Sequence, residues 1–453
     1  MTLSGQLAEF VAGTRFADLP DDAVSMARRS VLDWLGSALR GGTTEPARIT
    51  REVATRSMPG GEATVLTGGA TLSALGAALA NGAASHVIEL DDLHQASTFH
   101  PAAPIIPAAL AMAEREDGDG RTLLLALVLG YDVGIRVAEA VNPSHYRYWH
   151  PTATCGVFGA AAAACTVLGL PAAQVAHALG SAGTQAGGLW EFLADGAMSK
   201  HLHAGMAAHD GILSADLAAA GFTGASRILE GPRGFFAATS TSADASRITD
   251  RLGTHFKVVE NGFKCHACCG HTHTAVDAAL VLRERIDGRQ VAVVEIDTYR
   301  VALDITDKPA PHTPYEAKFS IQYAVGMGLL DGRAGLEQFD PDRLTAPDIR
   351  DLLARTTARA SDDFTEGYPR TWASRVRVRL TDGTTLDETV GQPKGMPANP
   401  LSDGEVAAKF HDLADPVIGV TTADQLEAAV DRLAEGISVT ELIRPLSIRH
   451  AAV

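Results

Sequence analysis

The sequence is poor in the features that mark several large protein classes. Five cysteines are scattered over 453 residues. An odd, sparse set of thiols excludes a disulfide scaffold and fits a reducing cytosol. Aromatics make up only 6%. No apolar run reaches the length that crosses a bilayer; the nearest, residues 156–170, is short and rich in Ala and Gly. The opening Met1-Thr-Leu-Ser-Gly-Gln has neither the basic nor the apolar region of a secretion signal. There is no repeat of fixed period and no low-complexity tract. A phosphate loop, a dinucleotide fingerprint and a Gly-x-Ser-x-Gly elbow are all missing, and Gly187-Gly188 is too bare to stand in for one. Cations are outnumbered, giving a formal charge of −16. That excludes nucleic acid or an anionic membrane as a general partner. It leaves room for a local cationic pocket that takes a small anion.

Small apolar residues are abundant instead. Helical periodicity runs through residues 5–41 (as two helices), 45–57, 72–84, 107–116, 120–141, 156–168 and 171–182. Asn142-Pro143 stops the longest of these. Thr64-Val-Leu-Thr67 reads as a short strand or a loop. Near residue 265 the character changes. Residues 290–302 are β-rich, and 374–390 alternate and turn at Asp382-Gly383, a hairpin signal. Helices are expected between them at 317–330 and 346–360. Ser402-Asp-Gly-Glu405 is a capping box opening a helical tail. The length calls for two domains. The expected fold is mainly α: a discontinuous all-helical domain of residues 1–268 and 392–453, with a smaller α+β domain at 269–391.

Four stretches concentrate ionisable groups. The densest is residues 85–101, with Glu89, Asp91, Asp92, His86, His94 and His100 set between two small-residue apolar segments. Burying such a run is costly unless each group is paired, and sites that need shifted pKa values are built this way. The plain alternative is a solvated loop, against which Pro101, Pro104 and Pro107 argue for a stiff backbone. The second stretch, Ser144 to Thr154, holds Tyr146, Tyr148, Trp149 and His150 just before a helix N-terminus, which favours an anion. The third, Asp195 to His203, places Lys200 and His203 ahead of a helix over 204–219. Lys200 is either a solvated helix-end lysine or a carboxylate anchor, or a base if desolvated. The fourth, Phe263 to His273, holds Lys264, three cysteines, His271 and His273. Its thiols and imidazoles lack the spacer of a tetrahedral zinc site, so no metal is expected. Together these stretches point to acid–base chemistry, without a cofactor, on something anionic.

Taken together, Leu90-Asp-Asp with His100-Pro101, Trp149-His-Pro-Thr-Ala-Thr154, Met198-Ser-Lys-His-Leu-His-Ala-Gly205, Phe263-Lys264 with Cys269-Gly-His-Thr-His273, Lys318-Phe-Ser-Ile-Gln-Tyr323 and Lys394-Gly-Met-Pro397 with Pro400-Leu-Ser-Asp403 resemble the MmgE/PrpD family. That family includes 2-methylcitrate dehydratase, cis-aconitate decarboxylase and iminodisuccinate epimerase. The resemblance spans nearly the whole chain. It implies a helical domain made from both chain ends, an inserted α+β domain, a homodimer and no metal. By position it sets His100, His150, Lys200, Lys264 and Tyr323 along the family's cleft. Glu89 stands where the decarboxylase pattern has Asp, and Leu93 where it has Thr; one extra residue separates Asp92 from His100.

The implied activity is a cofactor-independent lyase acting beside a carboxylate of a di- or tricarboxylate. An epimerase exchanging an α-proton and a silent polycarboxylate-binding member are the alternatives. Lys200 and Lys264 would hold carboxylates, His100 or His150 would move the proton, and Tyr146 or Tyr323 would be the opposite acid. Asp91 and Asp92 would orient His100. Glu89, His94, Tyr148, His203 and His271 complete the expected substrate contacts.

Overall fold

The computed structural model describes residues 1–448 and divides into two compact units. The first holds Met1–Val87, Asp91–Asn261 and the chain from Ser402 onward; the second holds Ile88–Leu90 and Gly262–Leu401. The protein is mainly helical, with a small mixed sheet confined to the second unit.

The helices of the first unit include α1 (Asp21–Gly41), α2 (Ala74–His86), α3 (Ala102–Arg115), α4 (Gly120–Val141), α5 (Gly156–Val167) and α6 (Ser199–Ala219). Nearly every residue of α2 is buried, as are those of α5 from Gly156 to Cys165. Helices apolar all round belong inside a core. Small side chains then let their axes close in. Gly82 and Gly205 make one such close approach: a Cβ on Gly82 would lie 2.9 Å from the Gly205 Cα, and one on Gly205 would lie 2.4 Å from the Leu79 carbonyl oxygen. This crossing sits one turn before His86 at the end of α2 and one turn after Lys200 at the start of α6. Two glycines therefore bring a histidine and a lysine far apart in sequence to the same end of a helix pair. The tail helix Asp403–Ile418 opens with the expected capping box of Ser402 and Glu405 and packs back in the first unit.

The second unit carries α7 (His273–Ile286), β1 (Val291–Thr298), α8 (Ile321–Asp331), β2 (Thr356–Ala360), β3 (Ser374–Leu380) and β4 (Thr385–Val390). Strand order is β2-β1-β3-β4, with β1 and β2 parallel and the other pairs antiparallel. Val294, Ile296, Val376 and Val378 face Ala279 and Leu282 of α7 and Val325 of α8, forming one apolar layer. The turn at Asp382-Gly383 joins β3 to β4, with Gly383 at φ +89°, the left-handed region that glycine tolerates.

Three sequence expectations shift. Residues 346–360 hold only a short helix, Pro347–Leu353; the rest is β2, recruited by pairing with β1. Tertiary pairing overrides local propensity there. Residues 317–330 break at Ser320, whose side chain caps α8 through the Tyr323 N–H at 3.0 Å. Lys200 and His203 lie on α6 itself, which begins at Ser199 rather than at 204. The unit boundaries fall at Asn261/Gly262 and Leu401/Ser402. Residues 262–268 and 392–401 group with the second unit because Phe263 N–H donates to the Gly395 carbonyl (2.9 Å) and Lys394 N–H to the Asp277 carboxylate (2.9 Å). Among the described residues no helix is long and apolar enough to cross a membrane.

Candidate active site

A group of imidazoles lies within the first unit. The His86 ring centroid is 5.2 Å from that of His100 and 5.3 Å from that of His150, stacked on the latter. His150 is 5.3 Å from His203, with the two Nδ1 atoms 3.1 Å apart, so one ring donates to the other. Lys200, almost fully buried, acts electrostatically on both His150 and His203. Lys200 and His203 are one turn apart on α6, which puts them on one face. Trp190 and Phe192 pack edge-on against the His150 ring. The segment carrying them is anchored where the His150 N–H meets the Gly188 carbonyl at 3.0 Å.

Asp91 and Asp92 are neighbours with different tasks. Asp91 Oδ2 lies 2.5 Å from His86 Nδ1 and 3.7 Å from His100 Nδ1. Asp92 points elsewhere: its carboxylate accepts from the Ala102 N–H at the start of α3, from the Tyr131 hydroxyl (2.8 Å) and from the Asn261 side-chain amide (2.8 Å). The expectation that both acids orient His100 is therefore corrected. What Asp92 gives His100 is its backbone carbonyl, 2.5 Å from Nδ1. That bond holds the proton on Nδ1 and makes Nε2 the basic nitrogen.

Burial first, then the charges of His203, His86, Lys200 and His100, push the His150 imidazolium well below the ordinary histidine range. His203 is lowered to about 4 by burial, His86 and Lys200. Both rings are neutral near pH 7. Burial and the neighbouring Asp91 push the Asp92 carboxyl well above the usual acid range. Two ring nitrogens, His86 Nε2 and His150 Nε2, are buried and make no hydrogen bond to any described residue. A buried polar atom left so is a feature that needs a reason, and a bound polar molecule supplies one.

His86 was not among the residues expected to act, although the sequence stretch contains it; only the fold brings it against Asp91. Other expected residues stand apart. His94 gives Nδ1 to the Ser97 hydroxyl (2.7 Å) and Nε2 to Glu260 (3.4 Å), so both its nitrogens serve the surrounding structure. His94, Glu139 and Glu260 are the one grouping of metal-type ligands among the described residues. The Lys257 ammonium lies 3.0 Å from Glu139 and 3.1 Å from Glu260 and supplies the positive charge there. Tyr148 is exposed beneath the Arg147 guanidinium, while Tyr146 packs edge-on to Trp190.

In the second unit, Glu89 and Lys264 form a fully buried ion pair at 3.2 Å. Glu89 sits at φ +62°, a left-handed conformation that costs a side-chain-bearing residue about 1 kcal/mol. Lys318 donates to the Ile88 carbonyl at 2.8 Å. Tyr323 does not join this group: its hydroxyl donates to the Gln338 carbonyl at 2.6 Å and its ring packs on Phe339. The phenol that feels Glu89 is Tyr315, which burial and then that carboxylate push upward. Tyr315 lies three residues before the Lys318–Tyr323 motif, so the resemblance points to Tyr323 and passes over Tyr315. His271 meets the Tyr299 hydroxyl at 2.5 Å and stacks on Trp372; burial and Lys264 lower it to about 3. The cysteines take separate partners, Cys265 the Lys394 carbonyl and Cys268 the Thr272 hydroxyl.

Residues 5–248 match the model of the MmgE/PrpD N-terminal domain and residues 266–435 that of the MmgE/PrpD C-terminal domain. The chain is 27% identical to the cis-aconitate decarboxylase-like protein oryM of Aspergillus oryzae, over 98% of this chain and 97% of that one. It is 26% identical to a cis-aconitate decarboxylase of Aspergillus terreus, over 97% and 96% of the two chains. Against the Homo sapiens cis-aconitate decarboxylase the identity is 28%, over 95% and 92%.

Proposed function

The chain is a member of the MmgE/PrpD family, and from that premise we propose that it is a cofactor-independent lyase acting beside a carboxylate of a small di- or tricarboxylate. The observation that carries this reading is the pair of buried, mutually stacked imidazoles His86 and His150, each with an unsatisfied Nε2, next to the buried cation Lys200. A lyase of this type must stabilise negative charge that develops on the substrate and must move one proton. Lys200 supplies fixed positive charge in a site of low polarity, where it counts for more than in water. The neutral rings of His150 and His203 hydrogen-bond without repelling that charge.

His100 moves the proton. Its Nδ1–H is fixed by the Asp92 carbonyl, its Nε2 is the working atom, and the Asp91 carboxylate beside it stabilises positive charge on the ring. In a decarboxylation, the carbon–carbon bond to the leaving CO2 breaks and its electron pair delocalises toward the remaining carboxylate. His100 then delivers the replacing proton to carbon. In a dehydration the same ring removes the α-proton and passes it to the departing hydroxyl, which leaves as water. Full-length similarity to decarboxylases favours the first. The second unit's Lys264, its charge balanced by Glu89, is assigned no step.

The test is proton NMR in D2O with cis-aconitate, citrate, methylcitrate and iminodisuccinate. Loss of CO2 with one deuterium delivered to carbon is the expected result for a decarboxylase, and loss of water with no deuterium gained for a dehydratase. Deuterium exchange with no change of formula would assign an epimerase instead, and silence with all four would refute the lyase.

A further inference from the structure

Two imidazoles converge on a single carboxylate oxygen. His86 Nδ1 lies 2.5 Å from Asp91 Oδ2, and His100 Nδ1 lies 3.7 Å from the same atom. The two contacts differ in kind. His100 gives its Nδ1–H to the Asp92 carbonyl, so Asp91 acts on that ring by charge across a gap. His86 has Asp91 as the hydrogen-bond partner of Nδ1, while its Nε2 makes no hydrogen bond to any described residue. In the neutral ring the proton therefore sits on Nδ1 and is donated to Oδ2. Packing holds the ring in that direction. His86 is the last residue of α2 and is fully buried. It stacks on His150 at 5.3 Å and leans against His100 at 5.2 Å. Yet His86 takes no step in the lyase chemistry above.

What His86 does follows from what an unshared carboxylate would do. An opposite charge this close raises the proton affinity of an imidazole by about 1–3 pH units. From an ordinary value near 6.5, such a rise would make His100 hold its proton at neutral pH instead of delivering it to carbon. An acid–base group works best when its affinity lies near the working pH. A second N–H donated to the same oxygen draws off part of the charge that reaches His100. Also facing His100 are the His150 ring at 6.4 Å, with Lys200 acting on His150, and the Thr152 hydroxyl, which accepts the His100 N–H at 3.3 Å. The Asp92 carboxylate serves Ala102, Tyr131 and Asn261. All of these stay in place when His86 is replaced. We propose that His86 is a positioning residue that fixes Asp91 Oδ2 between the two rings and shares its charge, so that His100 releases its proton at neutral pH. The inference rests on the lyase reading for what His100 does with that proton, and not for the sharing itself.

The experiment is an NMR pH titration of the full chain carrying isotope-labelled histidine, with the His100 signal identified by its loss in His100→Asn. His86→Phe removes the donor but keeps a ring in the stack. It is expected to raise the His100 midpoint by about one pH unit. His86→Leu is expected to do the same. His86→Asn places an amide N–H near the position of Nδ1–H and is expected to hold the midpoint within about half a unit of wild type. Asp91→Asn is expected to lower it by about one unit. An unchanged or lowered midpoint in His86→Phe and His86→Leu would overturn the proposal. So would a rise in His86→Asn as large as theirs. Failure of both donor-less variants to fold, read by circular dichroism, would make His86 a purely structural residue and overturn it too. Turnover separates the two claims. Under the lyase reading, the basic limb of the pH–turnover profile of His86→Phe moves up with the His100 midpoint. A midpoint that rises while that limb stays put would keep the charge sharing and remove His100 from the chemistry.

Discussion

Asp91 Oδ2 and His86 Nδ1 are 2.5 Å apart, and neither side chain reaches solvent. The next residue, Asp92, is equally buried but serves α3, Tyr131 and Asn261. Two adjacent acids thus divide chemistry from architecture, and their amides should separate the two. Asp91→Asn is expected to lower turnover by about a hundredfold, because it removes the charge beside His86 and His100. Asp92→Asn turns an amide donor toward three donors and is expected to cost about 1–3 kcal/mol of stability. Denaturant unfolding and steady-state kinetics on both variants check this; the reverse pattern would refute the division of roles.

His100 and Lys200 carry the proposed chemistry without holding the fold. His100→Ala and Lys200→Ala are each expected to reduce turnover by roughly a hundredfold or more. Circular dichroism and the unfolding midpoint should stay near wild type. Wild-type rates in both variants would rule out the mechanism.

Acid should weaken the protein through its buried imidazoles. His203, lowered to about 4, stays neutral in the fold while the unfolded chain binds a proton near pH 6.5. Between those values the unfolded state holds more protons, so stability falls as pH falls. The contribution is complete above pH 6.5 and lost by about pH 4. Asp92, raised in the fold, acts in the opposite direction at low pH. The clean readout is therefore the difference between wild type and His203→Asn in urea unfolding at pH 7, 5.5 and 4.5. That difference should shrink with acid, and a constant one would contradict the burial of this ring.

Much of this was legible in the sequence, and the exceptions have physical causes. The helical periodicity of residues 120–141, the turn at Asp382-Gly383 and the Ser402 capping box are local signals, and each reappears where the pattern put it. Clustered charge between apolar segments marked residues 85–101 as special. What local pattern could not reveal is which acid meets which imidazole. Asp91 and Asp92 look alike in sequence, and only the start of α3 claims Asp92. Tyr323 lies in a motif and Tyr315 three residues before that motif, yet the Gln338 carbonyl takes the Tyr323 hydroxyl. Residues 356–360 became a strand because β1 offered an edge, which is information held elsewhere in the chain.

The Tyr323 hydrogen bond gives a direct check on that correction. Tyr323→Phe removes a donor to a buried carbonyl and should cost about 1 kcal/mol of stability. Turnover should not change. A large loss of turnover at unchanged stability would return Tyr323 to the chemistry.

The Gly82–Gly205 contact sets how closely α2 and α6 approach. A methyl on Gly205 would meet the Leu79 carbonyl oxygen at 2.4 Å, and the opposing face there is Gly82, so neither helix has a flexible side chain that can yield. Gly205→Ala must therefore push the two helices apart. Overpacking of this kind costs about 1–3 kcal/mol. His86 is one turn beyond the crossing on α2 and Lys200 just over one turn before it on α6, so the displacement also shifts imidazole against ammonium. Misplacement of about 1 Å in a catalytic constellation can cost about a hundredfold in rate. Gly205→Ala should then lose far more turnover than its stability loss explains, measured at a temperature where both proteins are fully folded. Ala219→Ser, exposed at the far end of the same helix, serves as the control and should retain turnover. Equal turnover for Gly205→Ala and wild type would mean that the crossing does not set the geometry of His86 and Lys200.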